Sequence, residues 1–220
     1  MFKELLGLLK SSNAIALMGA DFSRMLKISH EITLAAGQNF FSEEGGEGRE
    51  EIRKRDIAIN KLERGVRKQV IAHLTLSPSP GEVPYCLLLM SIVKDVERIG
   101  DYAKNLAEVR GEGGAPVPAD EIGTELRDIR RIVEGTFARV DEVFVSSDAE
   151  VANALIEEGR TVTRRCDALL GKVACSDYDA ATATSVVLGA RYYKRIGAHL
   201  LNVLSGVVMP LHKLDYHDEP

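Results

Sequence analysis

The segment most informative about the fold is VERIGDYAKNL, residues 96–106, and a related segment, YKRIGAHLLNV, covers residues 193–203. Both stretches contain the triplet RIG, and both place an asparagine at the fifth residue after its glycine. The repetition at matching places in two similar halves indicates an internal duplication. Glycine inside a helix costs about 1 kcal/mol relative to alanine. Its recurrence at Gly100 and Gly197 therefore predicts that another helix packs closely at both positions.

The chain around these stretches has a helical pattern almost throughout. Six segments carry apolar residues at three- and four-residue spacing, and strand-like alternation is scarce. Short side-chain oxygens favour helix starts because they accept hydrogen bonds from free amides. The pattern predicts helices over about 13–41, 49–76, 119–145 and 179–211, a third helix beginning near Pro84, and a fifth with its N-cap at Ser147-Asp148.

Proline and glycine separate these helices. Residues 77–81 read SPSPG and residues 111–118 read GEGGAPVP. Proline lacks an amide hydrogen and clashes with the preceding turn, so both segments end a helix. Long helices joined by short loops pack as antiparallel neighbours, and each set of three can bury its apolar stripes only against one another. The sequence therefore predicts an all-α fold of two tandem three-helix bundles, residues 1–111 with a short N-terminal lead-in and residues 119–214, joined by a linker over 112–118.

Composition argues against several classes of function. The 220 residues carry a net charge of −5 and a pI of about 5.6, whereas nucleic-acid-binding proteins usually present a basic face. No run reaches the roughly 18 apolar residues that a membrane-spanning helix needs. Residues 1–10, MFKELLGLLK, are too short and too charged for a secretory signal. They predict either a lead-in turn packed on the bundle or a weak amphipathic contact with a membrane or partner.

The cysteines indicate a reducing compartment. Cys86, Cys166 and Cys175 are far apart and form no CxxC pair. An odd, scattered set fits the cytoplasm better than a disulfide framework. Each cysteine is predicted to be a small, buried, apolar residue.

Four polar residues on the second and third predicted helices form the candidate site. Glu97 and Asp101 are four residues apart and therefore stand on one helix face, and Asp56 and Asn60 have the same spacing. Counted from the turn at residues 77–81, the two pairs lie at nearly equal distances along antiparallel helices. At a rise of about 1.5 Å per residue they come level within a few Å. Two carboxylates from one helix are thus predicted to meet a carboxylate and an amide from the other.

The sequence leaves two ways to stabilise such a cluster. Neighbouring carboxylates are costly unless positive charge lies among them. A divalent or trivalent cation is one solution, because hard ions prefer oxygen ligands. Ordinary ion pairs with Arg98, Lys61 or Lys104 are the other, and spacing alone does not choose between them.

Motifs of enzymatic chemistry are missing from the sequence. No glutamate is followed three positions later by histidine, so the Glu-x-x-His motif of di-iron bundles is absent, and neither a Walker loop nor a G-x-S-x-G motif occurs. The five histidines are scattered and are predicted to lie at the surface or in helix packing. These features disfavour a carboxylate-metal hydrolase or oxidase.

The third helix resembles that of a known family. Residues 95–108, DVERIGDYAKNLAE, resemble the signature helix of the PhoU family, a Glu-Arg-Ile-Gly-Asp core followed by small and apolar residues and an asparagine. Residues 56–63 also resemble the family's second-helix motif, in which an acid lies four residues before a second acid and Leu-Glu follows. The length, the six helices and the duplication extend the resemblance along nearly the whole chain.

The resemblance implies a cytoplasmic, non-enzymatic adaptor that represses phosphate uptake and the phosphate-starvation response when phosphate is plentiful. The expected partners are the ATPase of a phosphate ABC transporter and a membrane sensor kinase, and a homodimer is also expected. A second hypothesis is a PhoU-like accessory subunit that regulates a different transporter or ion channel, since the domain also occurs beside those.

The resemblance also implies a metal site. Some proteins of the family hold iron or zinc through paired acid-x-x-x-acid motifs. Carried onto this sequence, the ligands would be Asp56, Glu97 and Asp101, with Asn60 as a further candidate. The alternative within the family is an acidic face that docks onto a basic partner without holding metal.

This chain departs from the family's pattern at several of the positions concerned. Asn60 replaces the second acid of its helix, and Lys194 and Ala198 stand where the second bundle would carry acids. The fifth helix offers only Glu157 or Glu158, with no partner acid four residues on. We therefore expect at most one divalent or trivalent metal centre, in the first bundle.

Overall fold

Six long helices follow one another in the part of the chain that the structure describes, as the periodicity predicts. The computed structural model describes residues 13–43, 48–76 and 79–214, and the regular elements of these ranges are all helical. None of the described helices is long and apolar enough to cross a membrane. The predictions for residues 1–10 lie outside the described residues. The helices are α1 (Asn13–Phe41), α2 (Arg49–Leu76), α3 (Val83–Val109), α4 (Glu121–Ser146), α5 (Ala149–Ala174) and α6 (Ala180–Val208).

Aspartates define the start of the three helices of the second half. Asp120, Asp148 and Asp179 cap α4, α5 and α6, and each accepts a hydrogen bond from a backbone amide in the first turn. The predicted cap of α5 is therefore confirmed at Asp148. Ser147 instead has the left-handed conformation, φ 56°, that ends α4.

Proline explains where α3 starts and where α6 ends. Pro84 lies in the first turn of α3, as predicted, where its missing amide hydrogen costs nothing. α6 is shorter than predicted and ends at Val208 rather than near residue 211. The reason is Pro210, which cannot continue the helix, and a separate 3-10 turn follows at Leu211–Lys213.

The helices pack as two sets of three, α1 with α2 and α3, and α4 with α5 and α6. This confirms the predicted pair of three-helix bundles. The predicted apolar stripe of α3 faces inward completely, and its buried members are Tyr85, Leu88, Leu89, Ile92, Val96, Ile99, Ala103 and Leu106.

The bundles also pack against each other along α3 and α6, with a smaller contact between α1 and α4. Phe22 of α1 and Phe144 of α4 meet with ring centroids 4.7 Å apart. The buried apolar residues consequently form one continuous core, whereas the sequence pattern predicts burial within each bundle alone. The difference arises because α3 has buried residues on adjacent positions, such as Ile92 and Val93, and so needs neighbours on more than one side. The division into separate domains stays a prediction.

The cysteines follow the prediction in two cases of three. Cys86 and Cys166 are buried free thiols, and burial raises the pKa of Cys166 to about 12. Cys175 is exposed, so the prediction of burial is wrong there. It lies just beyond the end of α5, where it is the C-cap residue rather than part of the apolar stripe.

Candidate functional site

Gly100 brings α2 and α3 close together at the candidate site. A Cβ atom added to Gly100 would lie 2.9 Å from Cδ1 of Ile59 and 3.4 Å from Oδ1 of Asp56. The predicted close packing is therefore confirmed at this glycine. It is wrong at Gly197, where the nearest atom would be Cγ2 of Val133 at 3.7 Å, an ordinary van der Waals distance.

Lys104 lies between two of the predicted site carboxylates. Its Nζ atom donates to Oδ2 of Asp56 at 3.2 Å and to Oδ1 of Asp101 at 2.8 Å. The Asp56 side chain is only 5% exposed, and that of Lys104 is 24% exposed. α2 and α3 thus each contribute a carboxylate to one ammonium group, which ties the two helices together through charge-assisted hydrogen bonds.

Arg98 neutralises the outer side of the same cluster. Its Nη1 atom donates to Oδ2 of Asp101 at 3.2 Å, and its Nε atom lies 3.5 Å from Oε2 of Glu97. Of the two solutions that the sequence leaves open, the structure contains ion pairs with Arg98 and Lys104. Lys61, the third cation considered, is exposed.

Two buried oxygen atoms beside these ion pairs have no hydrogen-bond partner among the described residues, Oδ1 of Asp56 and Oδ1 of Asn60. An unsatisfied buried acceptor costs about 1–3 kcal/mol. A hard cation would satisfy such oxygens. Over residues 13–43, 48–76 and 79–214, however, no three His, Cys, Asp or Glu side chains are arranged to hold a metal ion. The metal-binding role of Asp56, Glu97 and Asp101 therefore stays a prediction.

Burial changes the protonation of the cluster. It raises the pKa of Asp56, and the charge of Lys104 offsets part of this rise. The pKa of Glu97 is raised first by burial and then by the charge of Asp101. For Lys104, burial lowers the pKa, but the hydrogen bond to Asp101 and the charge of Asp56 outweigh it, and the pKa is raised. The site therefore holds a charged ammonium, and its Asp56 and Glu97 carboxyls bind protons more readily than they do in water.

The corresponding part of the second bundle has a different arrangement. Nζ of Lys194 lies 2.5 Å from Oδ1 of Asp167 on α5. Glu157 and Glu158 are both exposed, and Glu157 pairs with Arg160 on its own helix. Within the described part of the chain, these acids form no carboxylate cluster like that between α2 and α3.

The sequence did not predict a buried polar contact between the bundles. Nδ1 of His199 lies 2.7 Å from Oδ1 of Asp95, and Nδ2 of Asn202 donates to the same oxygen at 2.8 Å. The His199 ring also stacks on Tyr102, with centroids 5.7 Å apart. The repeated asparagine was the available signal, but it could not identify a partner, because its counterpart Asn105 makes no such contact within the described residues.

Comparison with known sequences gives a family match and two relatives. Residues 22–109 match the family model described as PhoU domain, a range that includes the α2–α3 cluster. The chain is 26% identical over 167 residues to a phosphate-specific transport system accessory protein PhoU homolog of Pseudomonas putida, covering 72% of this chain and 64% of that protein. A protein with the same description in Pseudomonas aeruginosa is 26% identical over 171 residues, covering 72% and 68%. The chain thus spans less than two thirds of the length of the first relative.

Solved structures share the fold. The phosphate transport system regulatory protein PhoU from Streptococcus pneumoniae superimposes with a TM-score of 0.77 at 17% identity, over 100% of this chain and 98% of that one. PhoU from Pseudomonas aeruginosa gives a TM-score of 0.69 at 21% identity, over 94% and 97%. At these identities the likeness shows that the six-helix architecture is common to the three proteins.

Proposed function

We propose that this chain is a PhoU-domain protein that regulates phosphate uptake without catalysing a reaction. The observation that carries this proposal is the family match over residues 22–109, which spans the helices that form the α2–α3 cluster. The names of the two curated relatives, which describe them as accessory proteins of a phosphate-specific transport system, support the same role.

The proposed mechanism is repression through contact with membrane partners. When phosphate is plentiful, the protein docks onto the ATPase of a phosphate ABC transporter and onto a sensor kinase, acting from the cytoplasm, as a homodimer. Of the three acids in the cluster, Glu97 and Asp101 are the more accessible to a basic partner, because their side chains are 16% and 25% exposed and that of Asp56 is 5% exposed.

Phosphate uptake in a strain that lacks the gene tests this function. In phosphate-rich medium, we expect both uptake and phosphatase induction to rise, because the repressor is missing. The intact gene should restore repression, and a gene carrying Glu97→Gln and Asp101→Asn should restore it less well. The matched control is Asp167→Asn, which removes an acid from the second bundle and should restore repression fully.

An unchanged strain would contradict the phosphate role. If neither uptake nor phosphatase induction responds to deletion, the alternative is a PhoU-like accessory subunit of a different transporter or ion channel. Copurification of such a membrane protein with the tagged chain would then identify the partner.

The metal centre implied by the family is a second part of the proposal. It consists of one ion, iron or zinc, at Asp56, Glu97 and Asp101, with Asn60 as a further oxygen ligand. The unpaired oxygens of Asp56 and Asn60 support it. Lys104 and Arg98 compete with a metal for the same carboxylates, so we expect binding to be weak.

Elemental analysis of protein purified without chelator, and again after loading with Fe²⁺ or Zn²⁺, tests the metal centre. Asp101→Ala should lose the bound metal, Asp167→Ala should keep it, and Lys104→Met should bind more because a competing cation is gone. Metal content at background after loading would reject the centre without affecting the proposed regulatory role.

A further inference from the structure

A half-open cavity of about 350 Å³ lies between α5 and α6 in the second bundle. This volume lies within the usual range of small-molecule sites. Asp167 and Leu170 of α5 line one side, and Val187, Arg191 and Lys194 of α6 line the other. The lining contains no residue of the α2–α3 cluster, so the cavity is a separate candidate site.

The sequence repeat explains why the cavity is present. Lys194 occupies the repeat position of Glu97, and Ala198, which also lines the cavity, occupies that of Asp101. A methyl group in place of a carboxymethyl group leaves space beside α6, and lysine in place of glutamate reverses the charge. The space beside these two positions is thus filled and acidic in the first bundle, and it is open and basic in the second.

The charged groups of the cavity favour an anion. Arg191, Lys194 and Arg195 face one carboxylate, Asp167, for a net charge of about +2. Arg195 is already held, because it donates to the Tyr102 hydroxyl at 2.9 Å and lies over that ring at 5.0 Å. Lys194 is shared with Asp167. Arg191 is exposed and makes no hydrogen bond or ion pair within the described part of the chain, so its guanidinium is available to a ligand.

The rest of the lining favours a ligand with an apolar part. Leu170 is 38% exposed at the cavity, and Val187 and Ala190 lie opposite it. A bare inorganic ion would leave these groups in water, whereas an apolar body would cover them, which favours binding. A phosphate monoester adds a charge of about −1.5 to −2 at neutral pH, which matches the charge of the cavity.

We propose that this cavity binds a small organic phosphate monoester. Its phosphate group contacts Arg191 and Lys194, and its apolar body lies against Leu170 and Val187. The site is independent of the regulatory role proposed above, because it uses none of the residues on which that role rests.

Titration of the full-length protein with phenyl phosphate, followed by NMR of the backbone amides, tests this site. We expect saturable shifts at the cavity residues of α5 and α6, and binding of inorganic phosphate at least roughly tenfold weaker, since it lacks the apolar body. Arg191→Gln should weaken binding of phenyl phosphate roughly tenfold, the loss expected for one charge-assisted hydrogen bond. Lys94→Gln is the matched control, because Lys94 is exposed at the equivalent position of α3, and it should leave binding unchanged.

Two further variants distinguish the effect of charge on binding from the effect of cavity volume. Asp167→Asn should tighten binding several-fold, because it removes the repelling carboxylate and frees Lys194. Ala198→Leu should weaken binding with every charge retained, because the larger side chain occupies part of the cavity. The proposal is overturned if phenyl phosphate gives no saturable shifts at the cavity, if inorganic phosphate binds equally well, or if Lys94→Gln weakens binding as much as Arg191→Gln.

Discussion

The two bundles share a repeat but differ in charge at two of its equivalent positions. In the first bundle, α3 presents Glu97 and Asp101 to α2, and the ammonium of Lys104 lies between the helices. In the second bundle, α6 has Lys194 and Ala198 at the matching positions and a cavity beside them. The apolar stripe is common to both, so the duplication retained what the core needs and allowed the polar face to diverge.

Individual carboxyls of the two bundles also differ in protonation. Burial raises the pKa of Asp56 and Glu97 in the first bundle. In the second bundle, the hydrogen bonds from Arg165 lower the pKa of Glu125. One polar face is therefore an acid cluster partly shielded from water, and the other contains a carboxylate stabilised by a guanidinium. Four predictions test how far this contrast determines stability.

The largest expected effect is the loss of the cation in the first bundle. Lys104→Met should lower the free energy of unfolding by about 3 kcal/mol, because it leaves the buried Asp56 carboxylate unpaired. Lys194→Met should cost under about 1 kcal/mol, because its pair with Asp167 is exposed. Urea denaturation of both variants measures the difference. Equal losses of stability in the two variants would contradict the contrast between the bundles. Recovery of stability in a Lys104→Met, Asp56→Asn double variant would confirm that the unpaired charge is responsible.

A smaller effect is expected from the repeated asparagine. Asn202→Ala should cost about 1.5–3 kcal/mol, the range for a hydrogen bond to a charged group, because Asp95 loses one of its two donors. Asn105→Ala should have little effect, because Asn105 makes no such bond in the described structure. Thermal unfolding of the two variants provides the comparison, and a similar loss in both would show that the asparagines act through the helix and not through Asp95.

Replacing the two repeated glycines with alanine should change the free energy of unfolding in opposite directions. Gly197→Ala should raise the free energy of unfolding by up to about 1 kcal/mol, because alanine favours the helix and the new methyl group meets only an ordinary contact. Gly100→Ala should lower it by about 1 kcal/mol, because overpacking against Ile59 exceeds the helix gain. Urea midpoints measure both changes. Stabilisation by Gly100→Ala would mean that α2 can move away from α3.

The smallest effect is a pH dependence of opposite sign at Glu97 in the first bundle and Glu125 in the second. A raised pKa means that folded Glu97 binds a proton more tightly than unfolded Glu97, so its contribution to stability increases as the pH falls towards its ordinary value of 4.5. The lowered pKa of Glu125 gives a contribution that is present above 4.5 and lost as the pH falls through the folded value. We therefore expect Glu97→Gln to lose stability relative to the parent on acidification and Glu125→Gln to regain it. Urea midpoints from neutral to acidic pH measure both, and shifts in the same direction would contradict the assignment.

Much of the fold and part of the site could be predicted from the sequence. The six helices, the cap at Asp148 and the approach of α2 to α3 at Gly100 were confirmed, because each depends on neighbouring residues or on the length of adjacent helices. The choice of Lys104 over Lys61 as the bridging cation could not be made, since both have suitable spacing and only side-chain direction separates them. The exposure of Cys175 was missed because a helix end is the least certain part of a periodic pattern.

Local sequence patterns account for the helices, their breaks, the duplication and the grouping of the acids, because periodicity, capping and proline act within a turn or two of the chain. The packed structure was needed to establish which cations neutralise those acids, how α3 and α6 join the bundles, and where the second bundle leaves a cavity. The contact of His199 with Asp95, for example, joins residues 104 positions apart. Interactions of this kind depend on distances that no local pattern contains, and they become defined only when the helices have packed.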